Sequence, residues 1–214
     1  MAQLDARPLL IVISGPSGAG KGTALQYATS ALGLRRVPTY TTRPKRSGEV
    51  DGVDYEYVDE QKFFQLHEAG TIFEYTRTYS QSYYGSPGVL LRDDIREALA
   101  VELDPNGFVR VHAASARRVV GIFVTTSSED ELRARLAARA QDRDISQRLS
   151  IRTDQMVWAW IYDYVIFNED QDQFRADLKA VIESELLRTS GLRRMLSLRR
   201  ELDPTLGAEP GSRQ

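Results

Sequence analysis

The residues whose types and spacing most clearly indicate a binding site form a glycine-rich segment near the amino terminus. Residues 15–21 read Gly-Pro-Ser-Gly-Ala-Gly-Lys, which matches the pattern G-x-x-x-x-G-K. Glycines let successive backbone N–H groups turn towards an anion, and the lysine adds a full positive charge. The segment therefore predicts a loop that holds the phosphates of a nucleoside triphosphate such as ATP. The residues expected to contact ATP here are Gly15, Ser17, Gly18, Ala19, Gly20, Lys21, Gly22 and Thr23.

The elements around this loop support that interpretation. Residues 9–13 form a continuous apolar run, typical of a strand buried on both faces, and a helix is expected to begin near Lys21. Strand, loop and helix in this order are the context that a phosphate-binding loop requires. The alternative, a glycine-rich turn that binds nothing, is disfavoured because the lysine and both elements coincide.

The position after the lysine departs from the usual pattern. A Ser or Thr that ligates Mg²⁺ normally stands there, whereas this chain has Gly22, and the hydroxyl follows one residue later in Thr23. One helical position is a rotation of about 100°. Two alternatives stay open: Mg²⁺ is held through phosphates and waters, or its binding is weakened.

A second candidate anion site lies further along the chain. Arg43 and Arg46 are three residues apart beside a proline, so their guanidinium groups can bind one phosphate together. Tyr55 and Tyr84 add phenolic donors without adding charge. The alternative is a solvated basic loop with tyrosines in the core.

Four further segments resemble the guanylate kinase family. Residues 41–55 (Thr-Thr-Arg-Pro-Lys-Arg-Ser-Gly-Glu-Val-Asp-Gly-Val-Asp-Tyr) and 83–86 (Tyr-Tyr-Gly-Ser) are similar to its two acceptor-phosphate motifs. Residues 102–107 (Glu-Leu-Asp-Pro-Asn-Gly) and 165–170 (Val-Ile-Phe-Asn-Glu-Asp) resemble its acidic strand end and its late V-x-N-D-D segment. The resemblance covers about residues 9–187. It implies transfer of the γ-phosphoryl group of ATP to GMP or dGMP with Mg²⁺.

The resemblance also implies which residues recognise the base. Glu74 occupies the position of the family's guanine-reading glutamate, and a carboxylate complements the N1–H and N2 amino donors of guanine. It lies in an apolar segment, where an unpaired charge is costly. Ser86 is expected to donate to guanine O6, Thr39 to supply a further hydroxyl, and Asn168 to lie on the ATP side.

Two acids follow a predicted buried strand at residues 98–103. Asp104 is expected to point into the crevice where ligands bind in open α/β sheets, and Glu102 lies two residues earlier on the same strand face. The resemblance assigns Asp104 to the acceptor base and to the surroundings of the metal. Because Gly22 has no hydroxyl, Asp104 and Thr23 are the candidate Mg²⁺-organising residues. The alternative for Asp104 is a cap of the next helix.

Cationic side chains for the transferring phosphoryl group are expected on a helix after a third strand. Arg135 and Arg139 are four residues apart and share a helix face, and Arg148 follows a polar stretch. Residues 139–148 therefore predict a mobile lid that closes over ATP. A GMP phosphate needs no general base, so His67 and His112 are assigned to packing or surface roles.

Composition excludes several classes of protein. The chain has 28 basic and 30 acidic residues, which argues against binding to nucleic acid or an anionic membrane. It has no cysteine, so disulfides and thiol chemistry are excluded, and a reducing compartment is consistent. No apolar run approaches the roughly 20 residues of a membrane helix. We expect a cytoplasmic protein whose ligands are ATP and GMP; the sequence indicates no particular protein partner.

Strands and helices alternate over most of the chain, which predicts an α/β fold with a parallel sheet flanked by helices. We expect one guanylate-kinase-like domain over residues 1–187. Its core comprises 8–38 and 88–187, and a small mixed insert at 39–87 binds the acceptor, with a hairpin at Asp51-Gly52. Strands are expected at 121–124 and 164–167, and a helix at 174–187. Residues 188–214 form a basic tail, helical to about 201 and then disordered.

Two other functions remain as alternatives at this point. The acceptor could be another or modified nucleoside monophosphate, or a small phosphorylated metabolite. The domain could also be a catalytically inactive protein-binding module of the same family, although such modules characteristically lose the phosphate loop.

Overall fold

A five-stranded parallel sheet forms the centre of the molecule. The computed structural model describes residues 7–78, 81–128, 130–133 and 156–202. From edge to edge the sheet runs β2 (Arg35–Arg36), β7 (Leu99–Glu102), β1 (Leu9–Ser14), β8 (Arg118–Thr125) and β9 (Tyr164–Phe167), with every neighbouring pair parallel. All six residues of β1 are buried. The predicted α/β fold with a parallel sheet is confirmed.

Helices cover both faces of this sheet. On one face, α1 (Lys21–Ser30) and α4 (Gln171–Leu202) enclose a core with Leu25, Phe174 and Leu178. On the other face, α3 (Pro105–Ala114) contributes Phe108 and Val111. Short 3₁₀ helices occupy Gly88–Leu91 and Val157–Ile161. No helix of the described residues is long and apolar enough to span a membrane.

A second, mixed sheet lies within residues 39–87, the range predicted for the insert. Its order is β4 (Tyr55–Tyr57), β3 (Thr39–Thr41), β6 (Tyr83–Pro87) and β5 (Ile72–Arg77), and α2 (Glu60–Glu68) packs against β5. Aromatic side chains from α2, β5 and β6 fill the space between them in edge-to-face pairs 5.0–5.9 Å apart: Phe63, Phe64, Tyr75 and Tyr83.

The predicted hairpin at Asp51-Gly52 is wrong. The residues do form a turn, in which the N–H groups of Val53 and Asp54 donate to the carbonyl of Val50 at 3.2 and 2.9 Å. However, the strands on either side, β3 and β4, pair in parallel. A two-residue hairpin turn of this composition also needs positive φ at both positions, and only Gly52 has it, at 73°.

The last helix is longer than the segment predicted at residues 174–187. It is continuous from Gln171 to Leu202, so the expected boundary at residue 188 falls inside it. Asp170 caps its start by accepting from the N–H of Gln173 at 2.8 Å. The tail beyond residue 202 lies outside the described residues.

One ion pair ties this helix to the central sheet. The guanidinium of Arg118 on β8 contacts the carboxylate of Glu185 on α4, and both side chains are less than a tenth exposed. The hydroxyl of Tyr164 on β9 donates to the same carboxylate at 2.8 Å. The pair therefore joins two strands to the helix at a position shielded from water.

We expect Arg118→Met to lower the free energy of unfolding by roughly 3–5 kcal/mol, because the buried carboxylate of Glu185 loses its only ion-pair partner among the described residues. The double variant Arg118→Met/Glu185→Met should recover most of that loss. As a control, Lys179→Met breaks an exposed pair with Glu183 on the same helix and should cost less than about 1 kcal/mol. Urea denaturation measures all three; equal losses for both single variants would contradict the account.

Candidate active site

The phosphate loop has the backbone geometry that its glycines predict. Gly15, Gly18 and Gly20 all have positive φ, at 139°, 87° and 105°. A side chain at Gly15 would lie 2.0 Å from the carbonyl oxygen of Val124 on β8, so the loop is pressed against the neighbouring strand. This combination of positive φ and close approach accepts only glycine.

Asn168 holds the other side of the loop. It follows β9, and its side-chain amide donates to the carbonyl of Ala19 at 2.8 Å. The amide nitrogen lies so close to Gly20 that a Cβ there would be 2.1 Å away. Asn168 was predicted on the ATP side, and the structure places it where it supports the loop backbone.

Lys21 begins α1 and lies between the loop and an acid from the next strand. Its ammonium donates to the carbonyl of Pro16 at 3.1 Å and lies 3.6 Å from a carboxylate oxygen of Glu102 at the end of β7. Both side chains are mostly buried. The lysine is thus held at the carboxyl edge of the sheet, where its charge faces the space above the loop.

The two residues after the lysine are exposed on the first turn of α1. A Cβ at Gly22 would lie more than 4 Å from every atom of the described residues, so none of them excludes a side chain at this position. Thr23 lies one position further round the helix. Neither residue is enclosed by the loop in this structure.

Arg43 is the centre of the predicted acceptor-phosphate site. Its Nε donates to the hydroxyl of Tyr84 at 3.0 Å, and one terminal nitrogen donates to the carboxylate of Glu49 at 2.8 and 3.0 Å. The guanidinium also lies 5.4 Å from the ring centroid of Tyr55. The structure therefore brings together Arg43, Tyr55 and Tyr84, whereas Arg46 contributes a backbone N–H and its side chain is exposed.

Glu49 is a residue of this site that sequence reasoning missed. Besides Arg43, its carboxylate accepts from the hydroxyl of Tyr57 at 2.6 Å and from the N–H of Arg46 at 2.8 Å. Burial raises the pKa of Glu49, but these hydrogen bonds outweigh it and lower the pKa to about 2. Glu49 lies within the segment that carried the family resemblance, three residues after Arg46, which is the signal that could have identified it.

Tyr55 lies on the acceptor side, and its pKa is affected by an acid beside the phosphate loop. The negative charge of Glu102 and, next, burial raise the pKa of the Tyr55 phenol. The ring of Tyr84 packs edge-to-face on it, with centroids 5.9 Å apart. Lys21 and Glu102 therefore lie together at the phosphate loop, and Arg43, Tyr55 and Tyr84 lie together in the second sheet and the loop beside it.

The predicted base-reading residue lies on β5 and is almost fully buried. Glu74 is 6% exposed and is directly opposite Ser86 in the antiparallel register of β5 and β6. The Ser86 hydroxyl donates to one carboxylate oxygen, Oε1. The other oxygen, Oε2, has no hydrogen-bond partner among the described residues, although a nitrogen of Arg110 lies 3.6 Å away. Such an oxygen requires donors from a ligand or from water.

The other residues predicted for the acceptor site have clear positions. Thr39 is buried on β3, next to Tyr55 in the parallel pairing with β4. Asp104 follows β7, which ends at Glu102, and caps α3 by accepting from the N–H of Gly107 at 2.7 Å. The alternative role of Asp104, capping the next helix, is therefore confirmed for one of its two carboxylate oxygens. Among the described residues, no group of three or more His, Asp or Glu side chains is arranged to hold a metal ion.

The predicted lid at residues 139–148 lies outside the described residues. The same holds for the three arginines assigned to the transferring phosphoryl group, Arg135, Arg139 and Arg148. Their roles stay predictions.

The fold and the site together define a kinase with a phosphate-binding loop. The loop lies at the carboxyl edge of a parallel sheet, and a cluster of arginine and tyrosine side chains lies at a second sheet. This arrangement suits transfer of a phosphoryl group between two phosphate-bearing molecules.

Comparison with known proteins identifies the family. The family model described as guanylate kinase matches residues 7–185. The guanylate kinase of Wolbachia sp. subsp. Brugia malayi is 33% identical over 86% of this chain and 96% of its own, and that of Symbiobacterium thermophilum is 36% identical over 85% and 87%. The crystal structure of guanylate kinase from Anaplasma phagocytophilum superposes with a TM-score of 0.70 at 27% identity, covering 92% of this chain and 97% of that one. The chain belongs to the guanylate kinase family and is a nucleoside monophosphate kinase.

The contact between Gly20 and Asn168 can be tested with two alanine variants. Gly20→Ala should reduce ATP affinity at least tenfold, because the Cβ meets the Asn168 amide and the loop must shift. Gly33→Ala is the control: it has a similar positive φ of 71° but no atom within 4 Å, so it should cost only about 1 kcal/mol of stability. Calorimetric titration with ATP measures the affinities. Wild-type ATP affinity in Gly20→Ala would refute this role of Asn168.

Proposed function

We propose that this protein transfers the γ-phosphoryl group of ATP to GMP, giving ADP and GDP. The observation that carries the proposal is the buried Glu74 carboxylate, whose Oε2 has no hydrogen-bond partner among the described residues. Guanine presents two neighbouring donors, N1–H and the N2 amino group, which such an oxygen can accept. The hydroxyl of Ser86, directly opposite on β6, donates to Glu74 Oε1 in this structure and would have to turn away from it to donate to guanine O6.

The same carboxylate accounts for discrimination against adenine. Adenine would place its N1 acceptor against the charged oxygen, leaving a buried charge unpaired at a cost of several kcal/mol. Specificity thus follows from a polar group that only one kind of base can satisfy.

The acceptor phosphate would bind between Arg43, Tyr84 and Tyr55. Arg43 supplies a cation already oriented by Glu49 and Tyr84, so little conformational freedom is lost on binding. A monophosphate has a second pKa of about 6 and is largely dianionic at pH 7, so its oxygen attacks without a general base. On the donor side, Lys21 stabilises charge on the transferring group.

Mg²⁺ fits the chemistry of the acids at the carboxyl edge of the sheet. It would screen the ATP phosphates when bound. Glu102, beside Lys21 and partly exposed, offers a carboxylate towards the loop, and Thr23 and the second oxygen of Asp104 are further candidates for contact through water. Arg135, on the helix predicted after the third strand, and Arg139 and Arg148, at the two ends of the proposed lid over ATP, would add positive charge to the transferring group.

A panel of acceptors tests this function. We expect wild-type protein to use GMP and dGMP well, IMP less well because it lacks the N2 amino group, and AMP and UMP poorly. Glu74→Gln should lower kcat/KM for GMP more than tenfold, because it removes the charge that accepts both donors, and should narrow the preference for GMP over IMP. Coupled measurement of ADP release checks each rate.

Glu60→Gln is the matched control, since it removes the same charge from an exposed position on α2 of the same insert. Strong activity with another acceptor and little with GMP would refute the proposal. Absence of transfer to every acceptor would favour the protein-binding module instead.

A further inference from the structure

Arg110 is a cation at the rim of the base pocket to which neither the sequence motifs nor the proposed chemistry assigns a role. It lies on α3, and its terminal nitrogen is 3.6 Å from Glu74 Oε2, too far for a hydrogen bond but within ion-pair distance. Its side chain is 56% exposed, whereas that of Glu74 is 6% exposed. The guanidinium thus approaches the buried carboxylate from the solvent side, at the oxygen that has no hydrogen-bond donor.

The surroundings of Glu74 otherwise disfavour its charge. Burial raises the pKa of Glu74 above its ordinary value, the Ser86 hydroxyl on β6 lowers it, and the charge of Asp104, at the start of α3, raises it. The charges of Arg110 on α3 and His67 on α2 act in the opposite direction and lower the pKa of Glu74. Of the two, Arg110 lies within ion-pair distance of Glu74 Oε2.

Reading guanine requires the ionised form of Glu74, because both donors of the base must be accepted. As pH falls through the pKa of Glu74, the protonated carboxyl loses its charge and one accepting oxygen, and GMP binding weakens. A group that stabilises the ionised carboxylate therefore allows GMP to bind at lower pH.

We propose that Arg110 is a positioning residue for guanine recognition: its guanidinium balances the charge of Glu74 without occupying the oxygen that accepts from the base. This inference rests on the proposed function. Because the contact is an ion pair without a hydrogen bond, Arg110 leaves Oε2 free to accept from the base. A closer, bonded arginine would instead have to be displaced by the substrate.

The test compares pH profiles of kcat/KM for GMP between pH 5 and 8 at saturating ATP. Arg110→Gln should shift the acid limb of the profile to higher pH by about 0.5 unit relative to wild type. The shift is modest because the side chain of Arg110 is half exposed. Near pH 8 its KM for GMP should lie within about twofold of wild type, with kcat unchanged throughout. Protonation of the GMP phosphate is common to all variants and cancels in the comparison.

Three further measurements separate this role from a structural one. Arg110→Lys should restore most of the wild-type profile, because it keeps the charge. Raising the salt concentration should reduce the difference between wild type and Arg110→Gln, as screening weakens an exposed pair. Arg35→Gln, which removes the same charge from an exposed pair with Glu97 at the far edge of the central sheet, should leave the profile unchanged.

Superimposable profiles for wild type and Arg110→Gln would overturn the inference, as would an equal shift in Arg35→Gln. Either result would leave the proposed function standing if wild type uses GMP. Failure of wild type to use GMP would overturn both.

Discussion

The proposed chemistry depends on one buried carboxylate, that of Glu74, whose Oε2 has no hydrogen-bond donor in the described part of the chain. Glu74 is held in place by the register of β5 and β6, which sets it directly opposite Ser86, and by the first turn of α3, which approaches so closely that a Cβ at Gly107 would lie 3.0 Å from Oε1. Such a group is costly unless a ligand satisfies it. In the proposed function, a base with two adjacent donors satisfies this oxygen, so that the cost of the buried charge in the free protein becomes specificity on binding.

Phosphoryl transfer requires the donor and acceptor phosphates to lie close together, and two groups of polar contacts are proposed to hold them. Lys21 lies beside Glu102 at the phosphate loop, and Tyr55 packs against Arg43 and Tyr84 on the acceptor side. The charge of Glu102 also raises the pKa of Tyr55. Since little covalent chemistry is asked of the protein, positioning and charge are its main contributions to the rate.

Local signals predicted the parts of the molecule that depend on short stretches of chain. The run at residues 9–13 is β1, and the glycines of the loop have the positive φ that their spacing indicates. The hairpin predicted at Asp51-Gly52 was wrong because strand pairing depends on residues distant in sequence. Strand β3 pairs in parallel with β4 and antiparallel with β6.

Other features could not be predicted because they depend on contacts between distant elements. Glu49 accepts hydrogen bonds from three residues, Arg43, Arg46 and Tyr57. Arg110 on α3 pairs with Glu74 on β5. Neither role follows from the sequence pattern alone. Glu74 itself was identified only through the resemblance to the family. The structure added that one of its oxygens has no donor among the described residues, which gives the proposed role of Glu74 a physical reason.

The central claim is that guanine supplies the donors missing from Glu74. A crystal structure of the protein with GMP bound tests it most directly. The account predicts Glu74 Oε2 within about 3 Å of guanine N1 or N2, the usual hydrogen-bond distance, with the phosphate on Arg43 and Tyr84. A structure in which the base lies elsewhere and Oε2 still faces only Arg110 would contradict it.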